Sequence, residues 1–287
     1  MPEQAAASYE TISADDAERF VRDDAVRVVD VRTSEEFELN GHIPGAALLP
    51  VDLIAVAPAT FARDGKPLLV TCEHGIRSAH AARFLAEAGF SGVLNMAGGM
   101  SCWKGPREHS QGEPYGPTGP SSWLMNNADL LAPGSTALDV ACGRGRHALL
   151  LASAGITVRA LDRDGDLIGA LRADAARLRL PVSAEVVDLE TDSVALGRET
   201  VDLVLVIHYL HRPLFGALIS ALRPGGLLLY ETFTVDQAAR GGPRNPDHLL
   251  KHGELPTLAA PLEVLRRREG EYEGRMVSAI AARKPRR

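Results

Sequence analysis

No stretch of this 287-residue chain stays apolar for the roughly 20 residues that a membrane-spanning helix requires. Its first residues carry charge where a secretory signal would have an apolar core. The expectation is a cytoplasmic protein with no membrane role. Cysteine is scarce as well: three residues, an odd number at wide spacing, build neither a disulfide framework nor a metal cluster. Cys72, Cys102 and Cys142 must therefore be judged singly. Nor is there an excess of positive charge. The net charge is -6, and the stretch up to Trp103 has 8 Lys+Arg against 15 Asp+Glu, which argues against a nucleic-acid partner there. The tail Lys284-Pro285-Arg286-Arg287 reads as a solvated terminus. No internal repeat relates the two halves.

What is present is two α/β blocks. At 45% hydrophobic content and this length the chain can bury two ordinary cores. The Gly/Pro-rich run from Gly105 to Pro120 has no hydrophobic period and reads as a linker between a domain at 1–104 and one at 121–287. In the first block, Val26 to Val31 and Leu68 to Thr71 read as strands, and Ala14 to Val21 and Ser78 to Ala88 as helices. The second alternates more regularly: strands at Thr136–Val140, Thr157–Leu161, Ala184–Val187, Val201–Ile207 and Leu227–Tyr230, with helices from Arg146, Asp166 and Pro213. That order predicts a doubly wound sheet. A short helix near His248 to Ala259 and strands at Leu262–Arg268 and Met276–Ala281 are expected to add an antiparallel edge.

Cys72 opens the run Cys72-Glu73-His74-Gly75-Ile76-Arg77-Ser78 between a strand and a helix. A thiol in that position meets the unpaired N–H groups and positive end of the helix, which favours thiolate, and Arg77 adds a fixed charge. Asp30-Val31-Arg32 with Glu35-Glu36-Phe37, then Gly41-His42-Ile43-Pro44-Gly45-Ala46, the Cys72–Ser78 loop and Gly98-Gly99-Met100-Ser101-Cys102-Trp103 together resemble a rhodanese domain, a sulfurtransferase module. The resemblance implies a small parallel sheet covered by helices on both faces. It also implies that Cys72 takes a sulfane sulfur from a small-molecule donor as a persulfide, with Arg77 as its catalytic partner and Glu73, His74, Gly75, Ile76 and Ser78 forming the anion loop. The loop is shorter than that of related phosphatases, which favours sulfur transfer. Two alternatives stay open: a non-catalytic binding or sensing module, and His74 lining the loop instead of meeting the anion. Cys102 is either a resolving thiol or packing, and packing is the simpler reading.

Leu138-Asp139-Val140-Ala141-Cys142-Gly143-Arg144-Gly145-Arg146-His147-Ala148 is a strand entering a Gly-x-Gly-x-x-Ala turn and a helix, a spacing that fits any nucleotide-type cofactor. Asp139 within the strand suits a cofactor bearing a cationic amino acid group, Asp162 the ribose hydroxyls and Asp188 an adenine amine. Gly143 and Gly145 permit close backbone approach. With Leu222-Arg223-Pro224-Gly225-Gly226-Leu227, these residues resemble class I S-adenosylmethionine-dependent methyltransferases with a Rossmann-like sheet. His208-Tyr209-Leu210-His211-Arg212-Pro213 and Tyr230-Glu231-Thr232-Phe233 look most like the small methyltransferases related to tellurite-resistance proteins. The resemblance implies S-adenosylmethionine as cofactor, His208 beside it, and a small, sulfur- or chalcogen-containing methyl acceptor met by Tyr209, His211, Arg212 or Arg244. Local capping is an equal alternative for these polar residues. Cys142 is a small core residue, and Arg266-Arg267-Arg268-Glu269 reads as a solvated strand face.

Overall fold

The computed structural model describes residues 8–109, 120–191 and 195–286. The chain divides into two compact units, Met1–Gly119 with Ala176–Arg179, and Pro120–Ala175 with Leu180–Arg287.

The first unit runs β1 (Glu10–Ile12), α1 (Ala14–Arg22), β2 (Arg27–Asp30), α2 (Ser34–Leu39), β3 (Ala47–Leu48), α3 (Ala57–Thr60), β4 (Leu68–Thr71), α4 (Ile76–Glu87) and β5 (Val93–Met96). The strands pair in the order β1-β5-β4-β2-β3, all parallel. β4 is buried at every residue, as its unbroken apolar run requires for a central parallel strand. Local signals start the helices. Ser13 caps α1 by accepting from Asp16 N at 3.1 Å, and Thr33 with Glu36 forms a capping box on α2. β1 and β3, of three and two residues, are too short to carry a periodic pattern, and only pairing to β5 and β2 makes them strands. The stretch read as linker from Gly105 starts against this unit. Trp103 Nε1 donates to Pro106 O at 3.0 Å, Arg107 donates to the Asn40 and Met100 carbonyls at 2.8 and 2.6 Å, and Glu108 and His42 exchange backbone hydrogen bonds at 2.8 and 2.9 Å. Its remainder, 110–119, lies outside the described residues.

The second unit runs α5 (Ser122–Met125), β6 (Thr136–Val140), α6 (Arg146–Ser153), β7 (Thr157–Asp162), α7 (Gly165–Leu178), β8 (Val182–Val186), β9 (Val201–Ile207), α8 (Phe215–Ala221), β10 (Leu222–Phe233), α9 (Glu254–Leu258), β11 (Glu263–Tyr272) and β12 (Arg275–Arg283). The sheet order is β11-β12-β10-β9-β6-β7-β8. β6 to β10 are parallel, and β12 and β11 add antiparallel at one edge. The chain leaves β6 first toward β7 and β8 and then returns on the other side through β9 and β10. That reversal opens a crevice at the carboxyl ends of the strands. Leu138, Val140, Val204, Val206, Leu228 and Ile280 are buried in the core beneath it. The helix expected over His248 to Ala259 is split into a turn at Pro246–His248 and α9, because Gly253 adopts φ +69 as the cap of α9.

Candidate active sites

In the first unit, β4 ends one residue before Cys72 and α4 starts at Ile76, so the chain must turn sharply between them. Gly75 makes the turn at φ +85, where a Cβ would stand 3.0 Å from Gly98 N. The buried Cys72 sulfur accepts from Gly75 N at 3.1 Å and Ser78 N at 3.3 Å, and lies 3.3 Å from Ser78 Oγ, which donates to Asn95 Oδ1 at 2.6 Å. N–H groups in a first helical turn have no carbonyl of their own helix to bond, and they turn toward negative charge. The Gly98-Gly99 turn packs on the other side. Gly99 sits at φ +60 with its absent Cβ pointing 2.1 Å from Cys72 O, while Met100 N and Ser101 N donate to the Cys72 and Glu73 carbonyls at 2.7 and 3.0 Å.

Charged side chains around the loop are mutually paired. Arg77 grips Glu36 through both guanidinium nitrogens at 2.7 and 2.5 Å, and that contact holds the Glu36 carboxyl down to about 2. Arg32, fully buried, chelates Asp30 and donates to Gly41 O at 2.8 Å and Glu73 Oε2 at 3.1 Å. Ser101 Oγ bridges Glu73 Oε1 at 3.2 Å and His74 Nδ1 at 2.9 Å. The structure thus gathers Cys72, Gly75 and Ser78 at the sulfur and Glu73 and His74 around Ser101, draws Arg77 onto Glu36, and leaves Ile76 exposed. Cys102 is exposed, with its sulfur folded over Gly98.

In the second unit a cavity of about 400 Å³ sits on the carboxyl ends of the strands, lined among others by Ala141, Asp162, Asp188, His208, Tyr209 and Phe233. Asp139, at 1% exposure, has one carboxylate oxygen without any partner, and burial pushes its carboxyl up to about 7. Asp162 accepts from Gly143 N at 2.8 Å and from Asp164 N at 3.0 Å, which fixes the glycine turn against β7. Asp188 lies two residues beyond β8, exposed, and accepts from Glu190 N at 3.0 Å. Both glycines have left-handed backbone, but their surroundings differ: a Cβ on Gly143 (φ +55) meets nothing within 4 Å, whereas one on Gly145 (φ +77) would press into Leu171 at 2.4 Å. Gly143 thus has open space where a side chain would stand, whereas Gly145 serves the packing of α6 on α7. Cys142 is buried, and its thiol is pushed well above the usual range, as suits a core residue.

His208 has φ +59 and donates its backbone N–H to Glu231 O at 2.8 Å; its ring stacks on Phe233 with centroids 4.7 Å apart. Burial, together with Arg275, Arg146 and Arg268, holds the imidazole down to about 3, so it is neutral at pH 7 and its 4.0 Å approach to Glu231 is no ion pair. The Tyr209 hydroxyl is buried without a partner, and burial pushes it up to about 12. The other acceptor candidates do not line the cavity. Arg212 chelates Glu254 at 2.7 and 2.9 Å and donates to the Asp247 and Leu249 carbonyls, so it clamps the segment leading into α9. His211 caps the turn at Arg212–Leu214, and Arg244 is exposed while its neighbour Pro243 and His248 reach the cavity wall.

One expectation is overturned: Arg268 is not on a solvated strand face. Its side chain is 9% exposed and is paired with Glu231, donates to Ser122 Oγ at 3.1 Å, and lies over the Trp123 and Tyr272 rings. Glu231, 2% exposed, also accepts from Ser121 Oγ at 3.0 Å, and Ser121 N donates to His147 Nε2 at 3.1 Å. The signal was present in Glu231 itself: a carboxylate inside an apolar central strand must find a cation, and Arg268 is drawn inward to supply it.

Residues 13–106 match the Rhodanese-like domain family, and residues 137–226 match a family described as Methyltransferase domain. The chain is 36% identical over 96 residues to the thiosulfate sulfurtransferase GlpE of Shewanella oneidensis, covering 33% of this chain and 93% of that protein. It is 35% identical over 109 residues to GlpE of Pseudomonas aeruginosa, covering 37% and 96%. Among solved structures, TehB from Haemophilus influenzae shares the fold of the second unit with a TM-score of 0.50 at 20% identity, over 60% of this chain and 64% of TehB. The chain therefore belongs to the rhodanese-like family through its first unit and carries a methyltransferase domain in its second.

Proposed function

We propose that the protein is a cytoplasmic bifunctional transferase, moving sulfane sulfur on Cys72 and methyl groups from S-adenosylmethionine to a small sulfur- or chalcogen-containing acceptor. The observation that carries the first activity is the Cys72 sulfur 3.1 and 3.3 Å from two N–H groups of the α4 first turn. The thiolate attacks a sulfane sulfur, the donor's leaving group departs with the bonding electrons, and the loop amides hold the resulting persulfide. Arg77, anchored on Glu36, fixes the turn.

For the second activity, the unpartnered buried oxygen of Asp139 fits a cofactor with a cationic amino group. Asp162 and Asp188 line the cavity where they can accept from ribose hydroxyls and an adenine amine, and Gly143, whose N–H bonds Asp162, has open space where a Cβ would stand. When bound, S-adenosylmethionine supplies a methyl group on a sulfonium. The chain's task is then to orient the acceptor and exclude water. His208, neutral and stacked on Phe233, forms one wall of that position.

The two activities form one pathway if the sulfur leaving Cys72 becomes the atom methylated. The test is release of S-adenosylhomocysteine from S-adenosylmethionine, a sulfane-sulfur donor and a thiol reductant, with Cys72→Ala alongside. Release that needs Cys72 supports the pathway. Release independent of Cys72 leaves the methyltransferase with another acceptor, and no persulfide on Cys72 with any donor would make the first unit a binding module.

A further inference from the structure

His208 and Tyr209 are neighbours in sequence that face different parts of one cavity. The backbone turns left-handed at His208, φ +59, directly after β9. From that turn the two side chains part. The His208 ring goes to Phe233 at the end of β10, and after burial the charges acting on it are Arg275, Arg146 and Arg268. After burial, those acting on the Tyr209 hydroxyl are Glu190, Asp188, Arg163 and Asp162, all at or just past the ends of β7 and β8. These four residues line the cavity together with Tyr209. Tyr209 is fixed there from behind: its carbonyl accepts from the Tyr230 hydroxyl at 2.8 Å, and Tyr230, 1% exposed, stacks on Phe215 with centroids 4.9 Å apart. Its own hydroxyl is buried and has no partner among the described residues, although three carboxylates share that part of the wall. A hydroxyl held out of water in this way is destabilising until a ligand atom bonds it.

The carboxylates cannot complete a nucleobase site by themselves. Ionised, they only accept, whereas an adenine offers its amine as donor and its ring nitrogens as acceptors. Asp188 accepts from Glu190 N at 3.0 Å through Oδ1, which leaves Oδ2 for the amine. A ring nitrogen needs a donor, and the Tyr209 hydroxyl is a neutral one, since burial pushes it up to about 12. Resting on the cofactor reading above, we infer that Tyr209 is a specificity residue for the nucleobase of S-adenosylmethionine, its hydroxyl donating to a ring nitrogen while Asp188 accepts from the amine. Tyr209 therefore does not meet the methyl acceptor. Adjacency to His208 groups the two in the sequence, and the left-handed turn at His208 separates them.

The experiment is calorimetric binding of S-adenosylhomocysteine and of its 1-deaza, 3-deaza and 7-deaza analogues to the full chain, in the wild type and in Tyr209→Phe. Each analogue replaces one ring nitrogen with carbon. In the wild type one of the analogues should bind about fivefold more weakly than the parent on account of the Tyr209 bond. In Tyr209→Phe the parent itself should bind about fivefold more weakly, and the penalty on that analogue should vanish. Without ligand, the variant should melt no lower than the wild type, because a buried hydroxyl lacking a partner has been removed. An unchanged affinity in the variant, a variant that keeps every analogue's penalty, or a wild type that binds all the analogues as tightly as the parent would overturn the assignment and leave the cofactor reading standing. A variant that melts lower would show the hydroxyl already partnered in the free protein, which overturns it too. A wild type that binds none of these ligands would bring down the cofactor reading itself.

Discussion

Asp139→Asn should make the second unit more stable and its cofactor site worse, and the two effects have one cause. The carboxyl is buried with one oxygen unpartnered, and its ionisation is pushed up to about 7, against about 3.9 in an unfolded chain. Between those two values the unfolded chain is ionised there and the folded one protonated. The penalty on folding therefore grows as pH rises from about 4 to 7 and is constant above. At about 1.4 kcal/mol per pH unit it reaches roughly 4 kcal/mol at pH 8. Asparagine removes the charge but leaves an amide donor where the oxygen was, at a cost of about 1 kcal/mol, so the net gain should be about 3 kcal/mol at pH 8 and about 0.5 kcal/mol at pH 5. Urea unfolding followed by fluorescence reads this directly, because the chain has two tryptophans and a Trp103→Phe background leaves Trp123, buried in the second unit, as the reporter. Calorimetry of S-adenosylmethionine at pH 8 should show the affinity lowered about tenfold or more, the loss of a charge-assisted contact. A variant no more stable than the wild type at pH 8 would refute the burial argument, and an unchanged affinity would refute the cofactor role.

Two glycine experiments separate loop geometry from ligand approach. In Gly99→Ala the new Cβ would sit 2.1 Å from Cys72 O at φ +60. The turn must move, losing the bonds from Met100 N and Ser101 N. We expect the first unit to lose about 3 kcal/mol and Cys72 to stop forming a persulfide, while methyl transfer to a directly supplied acceptor persists. Persulfide formation at the wild-type rate would refute this. Gly143→Ala should cost about 1 kcal/mol of stability, from its left-handed backbone alone, with a much larger loss of cofactor affinity. Gly145→Ala should cost about 1 to 3 kcal/mol more, because its Cβ overlaps Leu171. Equal thermal shifts in the two would show that Leu171 does not set the difference.

Much of this protein could be read one residue after another. The apolar run of β4, the Ser13 and Thr33 caps, the cysteine loop and the glycine turn after β6 are local features, in which a few neighbouring residues dictate backbone conformation and therefore where N–H groups point. That is why Cys72, Gly75 and Ser78 meet at one sulfur, and why Asp162 and His208 stand at strand ends. What the sequence alone did not reveal is which distant charge each polar side chain meets. Arg77 is joined to Glu36, 41 residues away, and Arg212 to Glu254, 42 away, so both guanidiniums are held by carboxylates that no local pattern names. Glu231 meets Ser121 across 110 residues and draws Arg268 out of a strand that reads as solvated. Such pairs depend on which strands the fold sets side by side. Burial then decides them, because a charge removed from water must find its partner wherever the chain has brought one.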